Sequence, residues 1–320
     1  MKILITGIAG QDGVFLTKLL NEKHKNFEII GISRNLSKTQ FEKKAQANFD
    51  NLKILNTDLL NKNKVFNLVA EIEPNVVFNL SGPSSVYKSF KDPKIENEIK
   101  LIFNNLTDSL IENKIFCRFF QASSSEMYGL NNKEIIYSEK SSFIPNSPYA
   151  NAKLENHNRV KELYENYDWN IFSGILFNHE SEFRGSEYLI MKIINGAIDI
   201  KNQEKNYLQL GSLELKRDWS YAEEIVEGIL EMTFYGKSFD YVLGSGKATS
   251  IKEIIDIIFR YFDLDYQQYI QIDKNILREN DPEIIVADPS KIKNDLGWST
   301  KKEIEEFLHT IIKNYIKSKT

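Results

Sequence analysis

The chain has 320 residues, 42% hydrophobic and 27% charged, with a net charge of −4. These are ordinary globular proportions, sufficient for two cores or for one large core with a smaller lobe. The slight acidic excess, with lysines scattered among acids, excludes a basic face for nucleic acid or a membrane surface, so an anionic ligand must be held by local groups. Cys117 is the only cysteine, which excludes an internal disulfide and a cysteine-rich metal site; it reads as a core residue, and no metal-ligand spacing is present. The amino terminus enters a strand at once with no signal-peptide pattern, and no apolar run is long enough to span a bilayer, so the expected location is cytoplasmic.

In chain order, strands alternate with helices. Residues 1–7 read as a strand, followed by the turn Gly7-Ile8-Ala9-Gly10-Gln11-Asp12-Gly13 and a helical pattern from Val14 to Leu20. Glycines there permit a tight turn and close backbone approach, so a dinucleotide pyrophosphate can sit on the helix amino terminus. A second strand over 27–34 ends in Ser33-Arg34 with no acid, which favours the 2′-phosphate of NADP over the ribose hydroxyl of NAD. The third strand, 52–56, leads to Asp58 and Leu59, where Asp58 can meet the adenine amino group or cap a helix. A fourth strand, 75–80, runs into Ser81-Gly82-Pro83-Ser84-Ser85, small residues that let the nicotinamide end pass close to the backbone or simply make a tight loop.

The apolar run 115–120 reads as a buried strand with Ser123, Ser124, Ser125 and Glu126 at its carboxyl end, where chemistry occurs in open α/β sheets. Pro148 suits a helix start, and Tyr149 and Lys153, four apart, share a face of that helix. A lysine cation beside the phenol is expected to lower the tyrosine pKa toward neutrality and make it a general base for a substrate hydroxyl. Another strand, 170–177, leads into the polar cluster Asn178-His179-Glu180-Ser181. Beyond it a helix over 188–200, a strand over 207–210, a helix over 222–232 returning to the main sheet and a strand over 239–243 are expected. Ser250 can cap an amphipathic helix reaching Phe262, and a closing helix places Ile304, Phe307, Leu308, Ile311 and Ile312 on one face.

The tyrosine, lysine and strand-end serine resemble the catalytic set of the short-chain dehydrogenase/reductase superfamily. Gly-Ile-Ala-Gly-Gln-Asp-Gly from Gly7, Gly-Ile-Leu-Phe-Asn-His-Glu-Ser from Gly174, Lys-Arg-Asp-Trp from Lys216 and Asp-Pro-Ser-Lys from Asp288 narrow the resemblance to the GDP-mannose 4,6-dehydratase family, over nearly the whole chain. It implies an α/β fold: a Rossmann-type doubly wound parallel sheet with a smaller, interleaved C-terminal α/β substrate lobe. The expected division is 1–180, plus about 215–245, for NADP binding, and 181–214 with 246–320 for the nucleotide sugar.

By resemblance NADP would be held by Gly7, Ile8, Gly10, Gln11, Asp12, Gly13, Arg34, Asp58, Leu59, Leu80, Ser81, Ser84, Tyr149, Lys153, His179 and Arg184. The GDP-sugar would meet Ser85, Ser124, Glu126, Asn178, Lys192, Arg217 and Arg278. Ser124, Glu126, Tyr149 and Lys153 would be catalytic, Glu126 removing the C5 proton after oxidation at C4 and so marking a dehydratase. The resemblance also implies a homodimer or homotetramer. Three departures from the family stand out: Ser124 replaces a threonine, Gly82-Pro83-Ser84-Ser85 replaces Ala-Gln-Ser-His, and Lys38, Lys43 and Lys44 stand where a second arginine is usual. The competing readings are an NADPH-dependent 4-keto-sugar reductase, a 4-epimerase, or a non-catalytic dinucleotide-binding protein. The retained Ser124, Glu126, Tyr149 and Lys153 argue against the last.

Overall fold

The computed structural model describes residues 1–23, 26–129, 134–273 and 282–319. Its first half runs β1 (Lys2–Thr6), α1 (Gln11–Lys23), β2 (Glu28–Ile32), α2 (Lys38–Ala45), β3 (Leu52–Leu55), α3 (Lys62–Ile72), β4 (Val76–Asn79), α4 (Val86–Lys91), α5 (Lys94–Glu112) and β5 (Arg118–Ser124). There follow β6 (Ile136–Tyr137), α6 (Pro148–Tyr167), β7 (Ile171–Leu176), β8 (Asn178–Glu180), α7 (Leu189–Lys201), β9 (Leu208–Leu210) and β10 (Lys216–Tyr221). The chain closes with α8 (Ala222–Tyr235), β11 (Asp240–Leu243), β12 (Ala248–Ser250), α9 (Ile251–Tyr261), β13 (Ile270–Ile272), β14 (Ile284–Ala287), α10 (Ser290–Leu296) and α11 (Ile304–Lys319).

The large sheet has the order β3-β2-β1-β4-β5-β7-β11, and every pairing in it is parallel. Strands covered by helices on both faces need continuous apolar runs, and β1, β4 and β7 supply them, with Ile3, Leu4, Ile5, Val77, Phe78 and Ile171 fully buried. Strand order reverses between β1 and β4, so the loops after these two strands part and leave a crevice at their carboxyl ends. One polar strip crosses the buried strand ends beneath it. Thr6 Oγ1 donates to Asn79 Oδ1 (2.7 Å), Asn79 Nδ2 to Gln121 Oε1 (2.7 Å) and Gln121 Nε2 to the Ala122 carbonyl (2.9 Å).

A smaller sheet joins β12, β10, β14 and β6, with β8 also paired to β10. Its strands come from both halves of the chain, which interleaves the two layers. β10 lies in this small sheet; after it α8 returns to pack on α1 and β7, and β11 extends the large sheet. Ser250 caps α9 in a reciprocal box with Glu253, as its spacing predicts. Phe307, Leu308, Ile311 and Ile312 of α11 are buried, while Ile304 is only partly so.

Two local differences from the sequence reading have physical causes. The strand expected over 115–120 begins only at Arg118, and Phe116 is 48% exposed, stacked against Tyr167 and edge-on to Trp169 rather than in the core. Asp58 does not cap α3; it accepts from the Leu60 amide (3.1 Å) in a local turn, and Asn61 is the cap. No helix among the described residues is long and apolar enough to cross a membrane.

Candidate active site

The site forms where the loops after β1, β4, β5 and β7 converge. Gly7 has φ +71°, and a Cβ there would lie 2.6 Å from the Leu80 carbonyl oxygen, so the first turn and the loop after β4 approach as backbones only. Gly10 immediately precedes α1, and its carbonyl accepts the Val14 amide (3.1 Å) in the first turn of that helix. Gln11, the first residue of α1, donates to the His179 carbonyl (2.8 Å) and accepts from Ser181 Oγ (2.9 Å), tying the segment after β7 to the glycine turn.

Beside it, His179 Nε2 stands 3.1 Å from Asp12 Oδ1, and His179 Nδ1 is 2.7 Å from the Phe177 carbonyl. Burial works against charge on both partners, but their mutual attraction prevails: Asp12 is held below the usual carboxylate range and His179 above the usual imidazole value. Arg184 stacks 3.8 Å over the Tyr188 ring, with Nε 3.7 Å from Glu180 Oε2, and both of these buried atoms lack a hydrogen-bond partner. A buried guanidinium donor without a partner is a place for an anion.

On the other wall, Ser124 is the last residue of β5, and Glu126 follows in a short 3-10 turn over Ser125–Tyr128 whose start Ser124 Oγ caps by accepting from the Glu126 amide (3.2 Å). Ser147 caps α6 and Pro148 occupies its first turn, setting Tyr149 and Lys153 on the face toward β5. Ser124 and Glu126 both stand near enough to the Tyr149 phenol to act on its protonation. Lys153 Nζ lies 5.6 Å from the Tyr149 ring centroid and donates to the Ala122 carbonyl (2.7 Å), the end of the polar strip described above.

The expectation that Lys153 draws the tyrosine pKa toward neutrality is not met. Burial pushes Tyr149 up to about 12 despite the opposing influence of Ser124, and burial brings Lys153 itself down to about 8 despite the nearby Asp12. Desolvation is the largest influence on each group, and neither is set by the other.

Other expected residues are dispersed. Leu80 and Ser81 line the close approach to Gly7; Ser84 Oγ meets Tyr188 OH at 2.7 Å; Ser85 caps α4 by accepting from the Lys88 amide (3.2 Å). Ile8 and Leu59 are buried, and Arg34 is exposed just after β2. Asn178 opens β8 opposite Trp219; Lys192, in the first turn of α7, donates to the Gln209 carbonyl (2.9 Å); Arg217 on β10 donates to the Lys216 carbonyl (2.8 Å). Arg278 lies outside the described residues.

Sequence reasoning missed Tyr188, whose ring carries Arg184; Lys44, singled out there only as a departure from the family pattern, reaches from α2 to the Ala9 carbonyl (2.5 Å) in the glycine turn. It also missed the role of Asp218, which accepts from the Ser245 and Gly246 amides (both 2.7 Å), the Ala287 amide (3.1 Å) and Ser245 Oγ (2.7 Å). The Lys-Arg-Asp-Trp motif marked this position, but its neighbour Arg217 drew the assignment.

The seven-stranded parallel sheet, glycine turn and Ser124/Tyr149/Lys153 set define an α/β protein of the short-chain dehydrogenase type. Its fold is shared with dTDP-glucose 4,6-dehydratase from Bacillus anthracis in complex with NAD, at TM-score 0.86, 19% identity and coverage of 99% of this chain and 97% of the other. RMD from Pseudomonas aeruginosa complexed with NADPH superposes at TM-score 0.82, with 20% identity over 98% of each chain. A family model described as GDP-mannose 4,6 dehydratase matches residues 4–311. GDP-mannose 4,6 dehydratase 1 of Arabidopsis thaliana is 31% identical over 97% of this chain and 88% of its own length. The chain belongs to the GDP-mannose 4,6-dehydratase family and is a nucleotide-sugar hydro-lyase.

Proposed function

We propose that the chain converts GDP-mannose, or a close GDP-sugar, to the 4-keto-6-deoxy sugar and water, with NADP as a recycled cofactor. The observation that carries this reading is the closeness of Ser124 and Glu126 to the Tyr149 phenol, with Lys153 Nζ 5.6 Å from its ring centroid: two candidate bases, a phenol and a carboxylate, lie together. A bound nicotinamide dinucleotide would supply the hydride acceptor at C4 and the donor at C6, ending unchanged. The side-chain-free turn at Gly7 and Gly10, the amino terminus of α1 beside it and Arg184 Nε, which makes no hydrogen bond, fit such a group. Asp12 with His179, Arg184, the Leu80–Ser84 loop and Lys153 would hold it.

In this reading Tyr149 takes the proton of the sugar C4 hydroxyl, and Ser124 orients that oxygen. The resulting ketone acidifies C5; Glu126 removes that proton and passes it to the C6 hydroxyl, which departs as water, and Tyr149 returns its own proton to C5 as the hydride comes back to C6. Asn178, Lys192, Arg217 and Ser85 would face the nucleotide sugar. Arg34 after β2, the absence of an acid there and Lys44 at the glycine turn support NADP over NAD. The division proposed for these tasks is 1–180 with about 215–245 for the cofactor, and 181–214 with 246–320 for the nucleotide sugar. A cytoplasmic homodimer or homotetramer is part of the proposal; exposed Tyr87, Phe90 and Leu101 on α4 and α5 supply apolar surface for such a contact.

The test is incubation with GDP-mannose and no reductant, followed by mass analysis of the nucleotide sugar. Loss of one water with no net NADPH change is expected, and Glu126→Gln should abolish it while NADP binding persists. Product formed only in step with NADPH consumption would favour a reductase instead.

A further inference from the structure

We infer that His157 is a positioning residue, locking the helix that carries Tyr149 to the strand that carries Ser124. Tyr149, Lys153 and His157 recur every four residues on α6, so they share the face packed against β5 and β7. Lys153 Nζ grips the Ala122 carbonyl directly (2.7 Å). One turn further on, His157 Nδ1 lies 2.8 Å from Ser173 Oγ, and Ser173 Oγ donates to Ser123 Oγ (2.8 Å). Adjacent residues of β5, 122 and 123, are thereby held from adjacent turns of α6, immediately before the strand ends in Ser124.

The chain of bonds is enforced by burial. His157 and Ser123 are 3% exposed and Ser173 is fully buried, so breaking one link strands polar atoms away from water. Since Ser173 spends its single hydroxyl proton on Ser123, the Nδ1 of His157 must be the donor to it. The imidazole is held by Phe143 and Phe239, with ring centroids at 5.1 and 5.5 Å, and its Nε2 is 4.0 Å from Asp240. Those two aromatic rings fix its tilt as well as its register, and Asp240 is itself held by Lys291 (2.7 Å). A hydrophobic residue at 157 would fill the space without setting the distance from Tyr149 to Ser124 and Glu126, and that distance decides whether the two bases address one sugar.

This inference rests on the dehydratase reading of the site, so the test has one readout that needs no substrate. His157→Phe keeps the ring and removes the donor; His157→Asn restores a donor near Nδ1; Ser173→Ala breaks the relay at its middle. For His157→Phe, kcat with GDP-mannose should fall about tenfold with KM within twofold, as a slight misplacement of paired groups predicts. Ser173→Ala should match it, the double variant should lose no more, and His157→Asn should recover most of the activity. In parallel, the Lys153 ammonium is titrated by NMR without ligand, assigned by its loss in Lys153→Met. Its midpoint should rise from about 8 toward the ordinary lysine value in His157→Phe as the β5 tip loosens and admits water. A lowered melting temperature with unchanged kcat and unchanged Lys153 midpoint would overturn the inference and leave His157 a packing residue. If the wild-type protein dehydrates no nucleotide sugar, the functional reading fails, while the Lys153 midpoint still decides the positioning claim.

Discussion

The hydroxyls of Ser84 and Tyr188 meet at 2.7 Å and strap the loop after β4 to the segment after β8. The Lys88–Glu187 pair (3.2 Å) lies alongside, but both partners are more than half exposed and contribute little. The Tyr188 ring also carries Arg184, so hydroxyl and ring have separable tasks. Tyr188→Phe should weaken NADP binding by no more than about fivefold, the worth of one hydrogen bond near 1 kcal/mol. Tyr188→Ala, which also frees the guanidinium, should weaken it by more than tenfold. Calorimetric titration with NADP distinguishes the two.

The Asp12–His179 pair sets a window of stability. His179 is raised above its ordinary value, so its share is complete below about pH 6.5 and is lost as pH rises through the folded value. Asp12 is depressed, so its share is present above about pH 4 and is lost as pH falls through its folded value. His179→Gln should therefore cost most stability, about 2 kcal/mol, between these limits, and less above neutrality. Thermal unfolding of both proteins across pH 3 to 9 would show the difference curve as a plateau with two falling edges.

Tyr149 should titrate well above an ordinary phenol in the ligand-free protein, because burial sets its value near 12. The sign follows: the site holds a neutral tyrosine at working pH, and positive charge brought by a bound oxidised dinucleotide favours the phenolate. Ultraviolet difference titration, wild type minus Tyr149→Phe, should show the Tyr149 transition moving to lower pH when NADP is added.

Gly129 ends the turn that carries Glu126. It has φ +52°, and a Cβ there would run into the Ile144 carbonyl, so backbone must move to admit one. Gly129→Ala should lower stability by about 3 kcal/mol, more than a helix-interior substitution, and reduce kcat with it by displacing Glu126. Denaturant unfolding together with turnover would test this; an active, fully stable variant would show that the turn has slack.

Much of the large sheet was legible because its strands are continuous apolar runs bounded by glycine, serine or asparagine. β1, β2, β4 and β7 differ from their expected limits by only a residue or two at the ends. The interior strand after α5 was placed early because Ile115 and Phe116 are apolar like the residues that follow, and periodicity does not distinguish a buried phenylalanine from one lying on Tyr167. β6, β8 and β12 escaped notice because strands of two or three residues carry no pattern of their own and exist through distant partners. Within the site, spacing located Ser124, Tyr149 and Lys153 but not the burial that governs their protonation. Spacing also left His157 unremarked, although it continues the four-residue rhythm of Tyr149 and Lys153.

The pairing of Ile136 and Tyr137 with Val286 and Ala287 joins an early segment of the chain to one near its end. A polypeptide emerging from a ribosome therefore holds β6 unpartnered while most of the molecule is made, and β10 in the same interval has only β8 and then β12 beside it. The large sheet can assemble as far as β7 well before that, so synthesis is expected to yield a half-formed enzyme whose catalytic strand and helix are in place before the small sheet closes. Loss of the last forty residues would remove β14's pairing and leave two edge strands open to other chains, which makes late truncation a route to aggregation rather than to a smaller working enzyme.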